Sequence, residues 1–170
     1  MVAEVHIFSA LKMVASVQMA RLMEQGEYAQ TLAQLQRDRY GTRQLDELVA
    51  AQQPGKSFHG YVFKDLVSNE NGGPIDNRLH YGLAAVPEKS GGGKSFLMLM
   101  DVSHLKVDEE RDTGTGAGAE YYKTATPQSP LDAWPVSSAL AKWEHIVLRS
   151  PQEGLAEANA MKETYDQGRR

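Results

Sequence analysis

The stretch Ala3–Leu35, AEVHIFSALKMVASVQMARLMEQGEYAQTLAQL, decides how the rest of the chain is read. Ile7, Phe8, Leu11, Val14, Ala15 and Leu22 recur near one face at helical spacing, while Ser9, Lys12 and Ser16 fall on another. The pattern predicts one long helix. Gly26 is its stop, because glycine accepts the left-handed conformation in which helices end. Tyr28, Leu32 and Leu35 then repeat at helical intervals and predict a second, short helical turn. No catalytic motif lies in this stretch. The helix is something to pack against or to assemble with.

Downstream, Arg43–Ala51 (RQLDELVAA) predicts a short amphipathic helix closed by Pro54-Gly55. The period then changes to two. FHGYVFKDLV, from Phe58, reads as a strand by its aromatic and β-branched content. Asn69–Asn77 is a turn, Leu79–Val86 a second strand, Pro87–Gly93 another turn. Ser95–Val102 (SFLMLMDV) is a third strand whose near-continuous apolar run predicts burial on both faces. Three strands with two tight connections make an antiparallel meander, and a helix laid over one face supplies its core. Glu120–Thr126 is a candidate fourth, edge strand. Trp143–Leu148 is strand-like, and Ser137–Glu144 has helical content. Pro151–Tyr165 reads as a terminal helix, with Ser150 as N-cap, Pro151 in the first turn and Glu153 three residues after the cap. The fold class expected is α+β: a single domain over residues 1–170, with helix and exit at 1–35, a sheet of three or four strands built on the meander at 56–108, and an irregular C-terminal part at 109–170.

Composition narrows the function classes. The 170 residues suffice for one domain with a real core. Net charge is −4, so no general attraction to nucleic acid or anionic lipid is expected. The chain has no cysteine, which removes disulfides, thiolate zinc sites and cysteine nucleophiles together. No run of about twenty apolar residues is present to span a bilayer, and no secretory leader pattern is visible.

Several residue groups invite a chemical reading. Gly55-Lys56-Ser57 and Gly93-Lys94-Ser95 end like phosphate-binding loops, but the first glycine of G-x-x-x-x-G-K-[ST] falls at Ala50 and Glu88, and each triplet leads into a strand. His6, His59, His80, His104 and His145 show no local metal-clamp spacing, although His59, His80 and His104 belong to three neighbouring predicted strands. Asp108, Glu109, Glu110, Asp112 and Thr113 form an oxygen-rich loop of the kind calcium favours, without EF-hand spacing. Tyr121, Tyr122, Trp134 and Trp143 suit either a groove or the packing of a half-buried edge, and packing is the reading preferred. A glycosidase needs only two facing carboxylates. Asp65 and Asp101 both end strands, yet neither has an acidic partner at alternate spacing on its own strand. No catalytic, cofactor or metal site is therefore expected, and no carboxylate pair lining a deep pocket.

The order of motifs resembles the globular part of type IV pilin-like and pseudopilin-like proteins. A helix ends in a Tyr-containing, Leu-rich exit (Tyr28, Leu32, Leu35). A Gly-Tyr-x-Phe strand follows (Gly60, Tyr61, Phe63), then a strand with Tyr81 that ends Ala-x-Pro (Ala85, Pro87). Last come a Gly-rich turn and a Ser-Phe strand closing on Asp (Gly93, Ser95, Phe96, Asp101). The resemblance covers roughly residues 3–108. The family's prepilin leader and hydrophobic half-helix are not in this chain, and residues 109–170 fit no familiar ending of it. The resemblance implies a non-enzymatic subunit of an envelope filament or secretion apparatus, periplasmic or extracellular. Its partners would be proteins or its own copies, met through the N-terminal helix, and it would meet a membrane only through a segment absent here. A soluble extracytoplasmic binding module on the same fold is the alternative, and an enzyme of another type the third.

Overall fold

The computed structural model describes residues 2–89, 93–104, 118–125 and 132–147. Its elements are α1 (Val2–Gln25), α2 (Leu32–Arg37), α3 (Arg43–Ala51), β1 (Tyr61–Asp65), β2 (His80–Pro87), β3 (Ser95–Asp101), β4 (Ala119–Thr124), α4 (Ser137–Leu140) and β5 (Glu144–Ile146). Among the described residues five strands form one sheet in the order β1-β2-β3-β4-β5, every neighbour antiparallel. The fold is thus α+β with an N-terminal helix and a five-stranded meander.

Helix α1 stops where glycine allows it. Gly26 has φ +80, and its N–H reaches back to the Leu22 carbonyl at 2.9 Å, which satisfies an acceptor the last turn leaves open. Thr31 and Thr42 cap the short helices, their hydroxyls accepting from Gln34 N at 3.1 Å and Leu45 N at 3.4 Å. One face of α1 (Ile7, Ala10, Leu11, Val14, Ala15) is fully buried against the sheet, where the helix lies on β3, the middle strand.

The pleat sorts the strands between two cores. Tyr61, Phe63, Tyr81, Leu83, Ala85, Phe96, Met98, Met100 and Tyr121 point to the helix layer, while Ala84, Leu97 and Leu99 join Leu66 in a smaller cluster on the other face. Trp134, Leu140, Trp143, Ile75 and Tyr122 pack over that second cluster. Strand β3 is therefore buried on both faces, as its apolar run predicts.

Two expectations need correction. The sheet has five strands, not three or four. The extra strand is β5, from the C-terminal part, and it makes β4 an interior strand instead of an edge. The first strand begins at Tyr61, not Phe58. His59 and Gly60 form a two-residue turn with φ +49 and +80, across which Phe58 and Tyr61 exchange backbone hydrogen bonds of 2.9 Å. Composition cannot distinguish this reversal from a straight strand. Asp65 points to the helix layer, while Asp101 stands beside His80 on the outer face, so these two strand-ending acids do not face each other. The expected terminal helix at Pro151–Tyr165 and the oxygen-rich loop at 108–113 lie outside the described residues.

Candidate functional site

The surface that stands out is the solvent side of α1. With the opposite face held to the sheet, Val5, Ser9, Lys12, Ser16, Ala20 and Met23 form an exposed stripe along the whole helix. Val5 is 70% exposed and Met23 73%, the two large apolar residues of the stripe standing near its ends. Steps of four and three residues keep such a stripe straight along a helix. An amphipathic helix ordinarily confines apolar residues to one face; α1 carries them on both. Lys12 is tied back by its own helix, its ammonium 5.0 Å from the centre of the Phe8 ring.

The helix exit is fastened by polar side chains that sequence periodicity passed over. Buried Gln18 pairs with Ala29 like a strand neighbour, donating to its carbonyl at 3.0 Å and accepting from its N–H at 2.8 Å. Buried Arg21 donates to the Glu27 carbonyl at 2.8 Å and grips Asp38 through two nitrogens at 3.2 and 3.1 Å. Across this seam lies Asp65 at the end of β1. Its carboxylate accepts from Leu32 N at 3.0 Å, Gln52 Nε2 at 3.1 Å and the Tyr81 hydroxyl at 2.6 Å. One side chain thereby joins α2, α3, β1 and β2. Burial pushes the Asp65 carboxyl above its ordinary range, against the opposing effect of these three donors. Burial and the facing carboxylate push the Tyr81 phenol well up.

The outer face carries two histidine–carboxylate pairs. His80 on β2 meets Asp101 on β3, Nε2 to Oδ2, at 3.2 Å. His145 on β5 meets Glu120 on β4 at 2.5 Å. Burial opposes ionisation of Asp101, but the Ser103 N–H and hydroxyl, with His80 and His104 nearby, outweigh it and hold the carboxyl below its usual value. His59 stacks on His6 with ring centres 4.3 Å apart, and His104 is exposed in a 3-10 turn at Val102–His104. His59, on the turn before β1, therefore does not come together with His80 and His104 across the strands. Among the described residues no group of three or more His, Asp or Glu side chains converges as a metal site.

The residues that carry the family resemblance serve packing. Tyr28, Leu32, Leu35, Tyr61, Phe63, Tyr81, Ala85, Ser95 and Phe96 are all buried. Tyr61 donates its hydroxyl to the Lys94 carbonyl at 2.7 Å and lies 6.2 Å from the Phe96 ring. A Cβ on Gly93 would stand 2.7 Å from that same hydroxyl, and its φ of +142 lies in glycine territory. Gly93-Lys94-Ser95 is therefore the entry of β3, seated against Tyr61. Tyr121 is buried on the helix side, while Tyr122, Trp134 and Trp143 cover the outer cluster, so these aromatics pack and do not line one common groove. Strand parity was the signal that would have found the two outer pairs and Asp65–Tyr81, but it needs the register, which sequence leaves open.

Among the described residues no helix is long and apolar enough to cross a membrane. The sequence matches no family model, and no curated protein or solved structure is significantly similar to it.

Proposed function

We propose that this chain is a non-enzymatic structural subunit, similar to type IV pilins and pseudopilins, that assembles in the cell envelope through α1. The observation that carries the reading is the double use of that helix. One face is sealed on the middle of the sheet, and the other offers an exposed stripe with apolar residues at Val5 and Met23. A long helix laid on an antiparallel meander, with its exit fastened by Gln18 and Arg21, also agrees with the order of motifs that gave the resemblance.

Because the chain has no cysteine, single cysteines can be placed at will. Ser9→Cys and Ser16→Cys, expressed in the producing cell and oxidised, should yield crosslinked species containing this chain in the envelope fraction. Lys64→Cys, at an exposed position of β1, serves as control. Val5→Asp with Met23→Asp should abolish the crosslinks while the folded domain persists. Crosslinking from α1 no stronger than from the control position would overturn the proposal.

A further inference from the structure

The loop between β1 and β2 is organised by one residue. Asn69 Oδ1 accepts from Asn71 N at 2.8 Å and from Gly73 N at 3.0 Å, while Asn69 N donates to the Gly73 carbonyl at 2.7 Å. The Gly72 N–H closes the same turn on the Asn69 carbonyl at 3.0 Å. Glu70, Asn71 and Gly72, at the tip, are all exposed. Among the described residues the side-chain amide of Asn71 has no hydrogen-bond partner, and only its backbone N–H is held. Gly72 takes φ +86, and a Cβ on it would meet nothing within 4 Å. An asparagine with a free side chain thus precedes a glycine in open space, and the glycine N–H is tied back to Asn69.

We propose that Asn71-Gly72 is a self-modification site, at which Asn71 deamidates through a cyclic imide at a rate set by the Asn69 turn. Glycine has no side chain to shield the neighbouring amide carbon, and its backbone freedom lets the chain close on that carbon. Hydroxide takes the proton of the Gly72 N–H. The nitrogen then attacks Asn71 Cγ, a C–N bond forms, the Cγ–Nδ2 bond breaks, and ammonia leaves with a proton from water. Water opens the five-membered imide at either carbonyl, which leaves aspartate or isoaspartate at position 71. The net change is one water consumed and one ammonia released, with no co-reactant beyond solvent. In the closed turn the attacking nitrogen is engaged, because its proton lies on the Asn69 carbonyl. The reaction therefore runs from the locally opened loop, whose population the hydrogen bonds of Asn69 hold down. The product carries one more negative charge. Isoaspartate also routes the main chain through the side-chain carbon, so the spacing that lets Asn69 hold Gly72 and Gly73 together is lost.

The full chain, incubated in mildly alkaline buffer and sampled over time, supplies the test. Brief digestion with trypsin cuts after Lys64 and Arg78, so one peptide, 65–78, carries the site. Fragmentation of that peptide separates Asn71 from Asn69 and Asn77 and should place the amide-to-acid mass gain at position 71, with isoaspartate and aspartate forms both present. The native chain should convert about three- to tenfold more slowly than a synthetic peptide 65–78, the worth of about one hydrogen bond. Asn69→Ala should raise the rate in the folded chain by a similar factor, about three- to tenfold, with circular dichroism and the melting transition unchanged. Asn71→Gln, which would have to close a six-membered ring, should abolish conversion at this position. No conversion of native Asn71 over the interval in which the peptide converts fully would overturn the proposal. So would a native rate equal to that of the peptide, or one that Asn69→Ala does not move.

Discussion

Removing the Asp65 carboxylate should destabilise the domain more than its position at a strand end suggests. Three donors converge on it: Leu32 N–H, the Gln52 amide and the fully buried Tyr81 hydroxyl. Asp65→Ala leaves them without an acceptor. A buried donor left unpaired costs about 1–3 kcal/mol, and Gln52 can turn to solvent, so two full penalties remain. Relief of the buried charge offsets part of this, and the net expected loss is about 2–4 kcal/mol. Asp65→Asn keeps one accepting oxygen and should cost about 1 kcal/mol. The pH dependence separates charge from shape. Burial raises the folded-state pKa of Asp65 above the unfolded value of about 3.9, so the folded state binds the proton more tightly. Native stability relative to Asp65→Asn is then greatest below the unfolded value and falls as pH rises through the folded one, opposite in sign to an ion-paired aspartate. Urea unfolding followed by circular dichroism from pH 3.5 to 8 measures both quantities. A double-mutant cycle with Tyr81→Phe should give a coupling of about 1–3 kcal/mol. An Asp65→Ala variant within about 0.5 kcal/mol of native, or a native-minus-Asn difference that grows with pH, would refute the reasoning.

Other perturbations test the packing. Leu11→Ala, at a fully buried position on the α1 face that meets the sheet, should cost about 2–5 kcal/mol in chemical denaturation. Gly93→Ala forces a Cβ to 2.7 Å from the Tyr61 hydroxyl at a φ of +142, and should cost about 1–3 kcal/mol. Adding Tyr61→Phe to Gly93→Ala should recover part of that loss, because the clashing oxygen is gone. Gly82→Ala brings a Cβ to 2.4 Å from Leu66 Cδ1 in the outer cluster, and a loss of about 1–3 kcal/mol in the same assay is expected.

Local patterns in the sequence were enough for α1 and α3. The limits of α1 followed from apolar spacing and Gly26, and α3 from the run Arg43–Ala51, because a helix bonds within itself and its signals lie within a few residues. The apolar run of β3 announced a strand covered on both sides for the same local reason: every residue of it had to leave water. Which residues meet was another matter. His59-Gly60 looked like strand and is a turn, since a reversal depends on two backbone angles that composition does not report. Asp65 and Asp101, alike as acids ending strands, stand on opposite faces, because the pleat reverses a side chain with each residue and the register comes from pairing with β2. Strand β5 and the packing of Trp134 and Trp143 over Leu97 and Leu99 depend on contacts between segments distant in sequence, and only the folded chain brings His145 to Glu120 and Tyr81 to Asp65.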